Sequence, residues 1–358
     1  MIGKATNRIP SLDGLRTISI TLVIASHVSF IFGYAPFFNV GDLGVRIFFV
    51  ISGFLITGLL MDESERSESI SLTRFYFRRT LRIFPPYYFF LLVFVALAVL
   101  GKIHITLNQF APVFAYASDY VFPGDWNLDH AWSLSVEEQF YLIYPGILVL
   151  FGLRRLKWLL GAAILLCPIL RFIDHDLFIS AHPIWLTKGF HANLDTLAVG
   201  CLLALIRPSL HANSYYLRFI GSRVMYLLPV TVFLLNAGID YADLDLGLAF
   251  SINNILIAIL IDWAVTCSSG LVGRFLNSSP MVFIGMMSYS IYLWQQPFFD
   301  PDPPSKFFAF PYNLIGFVAA CCLSYFVVER YALRLRKKYE STLFAPRQKA
   351  LIAEAVEG

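Results

Sequence analysis

Apolar stretches recur along this chain at 12–33, 44–61, 81–100, 134–151, 157–171, 189–206, 224–239, 248–267, 282–299 and 309–328, and short polar segments separate them. Most of these runs are near the length of a helix that crosses a bilayer, about 20 residues. None alternates with the period of a half-buried strand. The pattern predicts an all-α, polytopic integral membrane protein with about ten transmembrane helices.

The polar segments differ in charge. Lysine and arginine collect at 4–16, 66–82, 154–157 and 207–223, at Arg274, and at Arg330, Arg334, Arg336, Lys337 and Lys338. With ten spans these all fall on one side, so the positive-inside rule assigns them, and both termini, to the cytoplasm. The segments 34–43, 102–133, 172–188, 240–247 and 300–308 go to the opposite face and are richer in Asp, Pro and aromatics. The expected organisation is one membrane domain over 1–338 with a short cytoplasmic tail at 339–358 and no appended soluble domain. The first run lacks a small-residue cleavage site and is expected to stay as a span.

Composition agrees with this class. Hydrophobic residues make up 58% of the chain and charged ones 14%, whereas soluble domains carry about 25% charge. The net charge of +3 matters less than its placement. Cys167, Cys201, Cys267, Cys321 and Cys322 lie in apolar runs without metal-ligand spacing. They read as packing thiols, and no metal is expected.

Against that apolar background a few ionisable residues stand out. Arg16 and His27 are eleven positions apart, which returns a helix to within roughly 20° of the same face and advances it by about 16 Å. Asp13 lies three residues before Arg16, so Asp13, Arg16 and His27 form a polar stripe. Intramembrane ionisable groups usually face a cavity or a partner. The plainer alternative is an interfacial, snorkelling Arg16 and a His27 bonded to a neighbouring helix. Arg74, Arg78, Arg79 and Arg82 present several guanidiniums from one stretch, suited either to bidentate phosphate binding or to anchoring on anionic lipid. Glu137 and Glu138 open the 134–151 run. Ser135 and Glu138 have capping-box spacing, and either carboxylate could orient a histidine or an incoming hydroxyl. Tyr116, Tyr120, Trp126, Asp119, Asp125 and Asp129 could bind a sugar or form an interfacial belt. Asp195 interrupts a span and is either functional or paired with another helix. Asn277-Ser278-Ser279 matches a glycosylation acceptor on the wrong side and is discarded.

In order along the chain stand Leu12-Asp13-Gly14-Leu15-Arg16 with ten residues to His27, Gly44-Val45-Arg46-Ile47-Phe48-Phe49-Val50-Ile51-Ser52-Gly53-Phe54, and Arg79-x-x-Arg82-Ile83-x-Pro85-x-Tyr87. Trp132-Ser133-Leu134 then leads to Glu137-Glu138-x-Phe140-Tyr141, and Ser288-Tyr289-Ser290-Ile291-Tyr292-Leu293-Trp294 closes the set. This series resembles the membrane acyltransferase-3 family, bacterial O-acyltransferases that modify surface polysaccharides such as lipopolysaccharide O-antigen, glycolipids, nodulation signals and macrolides. The resemblance implies a multi-pass enzyme of the bacterial inner (cytoplasmic) membrane. It would transfer an acyl group, most often acetyl, from cytoplasmic acyl-CoA to a hydroxyl of a carbohydrate or glycolipid at the outer side. His27 would be catalytic base or acyl carrier, assisted by Glu137 or Glu138. Arg16, Arg74, Arg78, Arg79 and Arg82 would bind the donor, and Asp13, Ser52, Tyr141 and Asp195 would support the site. Partners are then acyl-CoA, the acceptor and the bilayer, with no nucleic acid; oligomeric state stays open.

Three departures stand beside the match. Gln295-Gln296-Pro297 replaces the His-Trp-Pro common in the family, Asn193 stands where an arginine is expected near Asp195, and Tyr331 follows Glu329-Arg330 in place of proline. The competing class is a proton-coupled transporter of a sugar or anion, which buried Arg, His, Asp and Glu also suit. No repeat relates the two halves, and the informative residues crowd into the first 141 positions, which favours the enzyme.

Overall fold

The computed structural model describes residues 8–33, 40–178, 188–239, 248–302 and 309–344. Residues 34–39, 179–187 and 303–308 of the predicted outer segments 34–43, 172–188 and 300–308, all of 240–247, the first seven residues and the tail from 345 lie outside them. Among the described residues there is no strand. Helices run α1 Pro10–Phe32, α2 Val40–Ser67, α3 Leu72–Val99, α4 Leu107–Phe114, α5 Trp126–Asp129, α6 Ala131–Phe178 and α7 Phe190–Ala212. They continue with α8 Ser214–Ile220, α9 Leu228–Ile239, α10 Leu248–Thr266, α11 Leu271–Leu276, α12 Ser279–Phe298, α13 Tyr312–Cys322 and α14 Arg330–Leu343.

Seven described helical stretches are long and apolar enough to cross a membrane, or eight if the bent pair Ser214–Ile220 and Arg223–Ala237 forms one span. The predicted runs 134–151 and 157–171 are both in α6. This helix changes direction without a loop at Gly152, whose φ of 70° and ψ of 162° suit a residue without a Cβ. The run 282–299 is α12, long enough but less apolar, because Ser288, Ser290, Gln295 and Gln296 are buried inside the bundle. Sequence therefore places the helices well. Its division of this stretch into two runs falls at the break at Gly152, where two helices meet.

Local chemistry explains the ends. Pro10 opens α1 at the position where a missing N–H costs nothing, and Asp13 sits in the first turn. Gly33 closes the helix in the left-handed region, its N–H returning to the carbonyls of Ser29 and Phe30. Ser71 caps α3, its side chain accepting from the Arg74 N–H at 3.3 Å.

The helices pack at small residues. A Cβ added to Gly285 of α12 would overlap the Asp13 carbonyl of α1, and one on Gly53 of α2 would overlap the Leu197 carbonyl of α7. Such backbone approach is how apolar helices associate where lipid competes for side-chain contact. Ser11 donates to Asn277 Oδ1 (2.9 Å), Thr17 to the Met281 carbonyl (2.5 Å), and His27 to Gln295, so α1 and α12 run in the same direction. The outer face of α6 is apolar: Leu142, Leu150, Trp158 and Leu165 are exposed, as a lipid-facing belt requires.

Candidate active site

A cavity of about 80 Å³ opens between α1, α2, α3, α6 and α12. Arg16, Ser52, Arg79, Arg82, Glu137, Tyr141, Tyr289 and Tyr292 line it with apolar side chains between them. Six of the eight are residues that the sequence singles out for the site.

Its charges do not balance. Asp13 accepts from Arg8 Nε at 2.6 Å and lies 3.8 Å from Arg16, so its closer partner is outside the cavity. Arg79 lies 4.5 Å over the Tyr141 ring, a cation–π contact. Among the described residues neither Arg79 nor Arg82 has a carboxylate within 4.0 Å. Glu137 accepts from both the Ser52 hydroxyl and the Tyr141 phenol, and Tyr141 also donates to Ser52 Oγ at 3.1 Å. Three guanidiniums thus line a cavity with one carboxylate that is already bonded to hydroxyls, while Glu329 and Glu138 stand behind the lining within electrostatic reach of Arg16, Arg82 and Arg79. Excess positive charge in a low-dielectric space is a standing attraction for an anion.

The arginine cluster divides by helix face. On α3 the positions 74 and 78 lie within about 40° of each other, and 82 and 79 follow round the same side. Arg74 and Arg78 turn to Glu340 on α14, with Arg74 Nη2 at 3.1 Å. Arg79 and Arg82 turn inward. Glu138 does not line the cavity, and its Oε1 is buried without a hydrogen-bond partner.

His27 stands at the other end of α1's polar stripe. Its Nδ1 donates to Gln295 Oε1 at 2.5 Å, and its ring meets Trp126 edge-on with centroids 5.5 Å apart. An amide oxygen only accepts, so Nδ1 carries the proton and Nε2 keeps its lone pair. That is the arrangement of a base held in one tautomer. Glu137 or Glu138 is expected to orient His27 or the acceptor, and among the described residues neither carboxylate bonds the imidazole: Glu137 is bonded to Ser52 and Tyr141, and Gln295 holds His27. Gln295 occupies the position noted above for its missing histidine.

Asp195 belongs elsewhere. Arg171 donates to its two oxygens at 3.0 and 2.8 Å, and Ser251 donates to it at 2.5 Å, all fully buried on α6, α7 and α10. An arginine partner for Asp195, expected at position 193, is thus supplied by Arg171, 24 residues before Asp195. Of the outer aromatic and acidic group, Tyr116 stacks on Tyr87 and Tyr120 on His191, Asp119 accepts from Gln139, and Asp125 caps α5. Asp129 accepts from the Asp125 N–H (3.2 Å). These are packing roles, and Trp126 is the member that reaches His27. Lys188 lies 4.6 Å over Phe122 near Asp42 and Asp129, and burial pulls its ammonium below the usual range against the pull of those carboxylates. Sequence reasoning passed over Lys188, Arg171, His130 and Glu340, and named Gln296 only as a departure from the family pattern. Arg171 alone carried a signal, as a cation inside an apolar run.

Residues 9–329 match the family model described as an acyltransferase domain. The chain is similar to the O-acetyltransferase OatA of Staphylococcus aureus strain NCTC 8325 / PS 47, 31% identical over 319 residues, covering 81% of this chain and 50% of that protein. The same figures hold for OatA of strain COL. The chain spans about half the length of the curated relatives it matches. No solved structure matches it.

Proposed function

The chain belongs to the acyltransferase domain family, and from that premise we propose that it transfers an acyl group, most often acetyl, from acyl-CoA to a sugar or glycolipid hydroxyl. The observation that carries this reading is the excess-cation cavity of Arg16, Arg79 and Arg82, set about three turns along α1 from a half-buried His27 with a defined tautomer. The donor enters from the cytoplasmic side of the inner (cytoplasmic) membrane, with ten crossings and both termini on that side. Its phosphates meet the three guanidiniums, which suit bidentate phosphate contacts. Arg74 and Arg78 guide it after leaving Glu340, and Asp13 holds Arg16 in place. Glu137, bonded by Ser52 and Tyr141, keeps the cavity's cations spaced. The thioester lies beside His27.

At His27 the chemistry is a single acyl exchange. The acceptor oxygen attacks the thioester carbonyl as His27 Nε2 takes the hydroxyl proton. The tetrahedral adduct then expels the CoA thiolate, which receives that proton from the imidazolium. The ester stays on the acceptor and free CoA leaves. Both reactants are held across a sealed, dry path, which supplies proximity and limits hydrolysis.

The test uses the full chain in lipid nanodiscs, labelled acetyl-CoA, and the envelope glycan fraction of its own cells after base removal of existing esters. Wild-type protein is expected to label the glycan and release CoA, and folded His27→Ala protein to lose at least about a hundredfold of the transfer. Normal turnover by the variant would overturn the reading, and a carrier would release no CoA.

A further inference from the structure

The surroundings of His27 hold polar atoms that the fold leaves unmatched. Gln295 gives its oxygen to His27, but its Nε2 has no hydrogen-bond partner. Gln296 Oε1 also has none, while the Gln296 carbonyl accepts from Trp126 Nε1 at 2.9 Å. His130 lies within electrostatic reach of His27, and neither of its ring nitrogens has a well-aligned partner, though Leu293 and Gln296 approach it. Gln295, Gln296 and His130 are 0%, 4% and 3% exposed. Trp126 ties the group together, edge-on to His27 and bonded to the backbone of Gln296.

A folded chain gains nothing by burying such groups unmatched, since apolar side chains of the same shape would fit at lower cost. Their gathering at one place points to a ligand that completes them. The set offers an amide donor from Gln295, an amide acceptor from Gln296, and in His130 a neutral imidazole that provides one of each. It includes no formal charge. An anion would be repelled by Gln296 Oε1, and a cation would find no carboxylate in it. A hydroxyl both donates and accepts, and two neighbouring hydroxyls use the whole set.

We propose that Gln295, Gln296 and His130 form a niche for the acceptor, binding a vicinal diol so that one hydroxyl faces His27 Nε2 and its neighbour is held by His130 and Gln296. The niche rests on the acyl-transfer reading above. It adds that acceptor selection is made inside the bundle, next to the base.

The nanodisc assay with labelled acetyl-CoA and the base-treated envelope glycan tests it through Gln296→Met and His130→Leu, which remove the hydrogen-bonding groups and keep apolar bulk. Each is expected to raise the glycan KM about tenfold or more while the acetyl-CoA KM stays within about twofold. The thermal midpoint should equal or exceed that of the parent, because an unmatched buried group is no loss to the fold. An unchanged glycan KM with that midpoint would show atoms that merely pack and would overturn the niche. If either variant fails to fold, Gln296→Asn, which withdraws the same amide by one methylene, replaces it under the same two outcomes. Wild-type protein that transfers nothing, or His27→Ala protein that transfers normally, instead brings down the reaction and the niche with it.

Discussion

The Arg171–Asp195 pair and the Arg16–Arg79–Arg82 set are both built from guanidinium groups inside the same bundle, and they differ in charge balance. Arg171 meets Asp195 through two nitrogens, with Ser251 and the Ala192 carbonyl bonded alongside and the Phe250 ring 4.4 Å away. Its side chain is 2% exposed. The cavity set has three cations, one hydroxyl-bonded carboxylate and open space between them. A buried ion that is paired fastens helices, whereas buried ions in excess hold a place for something of opposite sign. Sequence marks both as intramembrane charge. Stoichiometry separates them.

Breaking the fastened pair should have the largest effect. Arg171→Ala leaves Asp195 buried and unpaired and is expected to cost about 3–5 kcal/mol, read as a sharp fall in the thermal unfolding midpoint in nanodiscs. A midpoint near that of the parent would erase the distinction between the two clusters. Arg79→Gln comes next and acts on the other variable. It should leave the midpoint near the parent's but raise the acetyl-CoA KM about tenfold, as loss of one charge-assisted phosphate contact predicts. Destabilisation without a change in KM would assign Arg79 to the fastening class. The smallest effect belongs to Glu340→Gln at the edge of the same arginine stretch. Arg74 and Arg78 are 36% and 34% exposed there, so the midpoint should move by less than about 1 kcal/mol in equivalent stability. A larger loss would make α14 a structural anchor.

Much of the helix plan was legible because a membrane helix must bury its own backbone and shows this as an apolar run. The register of Arg16 and His27 was legible for the same local reason, being set by the geometry of a single helix. Partnership was not. His27 and Gln295 are 268 residues apart, Arg78 and Glu340 are 262 apart, and both contacts depend on how helices cross. The division of α3's arginines into an outward and an inward pair follows from α14 packing against one edge, which no property of 74–82 specifies. The break at Gly152 was legible as a gap between two apolar runs, while the means was not: basic residues at 154–157 look like a loop, and the backbone needs one glycine to turn.

The fixing of α1 to α12 has a metrical consequence. The two helices touch backbone to backbone at Asp13 and Gly285, again through Thr17 and Met281, and a third time through His27 and Gln295. Fastened in this way, α1 cannot slide along its neighbour, so the interval of about 16 Å from Arg16 to His27 behaves as a ruler. A thioester on an arm of the wrong length would carry its phosphates and its carbonyl to stations that do not coincide. Donor choice in such a protein would be a measurement of length before it is a recognition of chemistry.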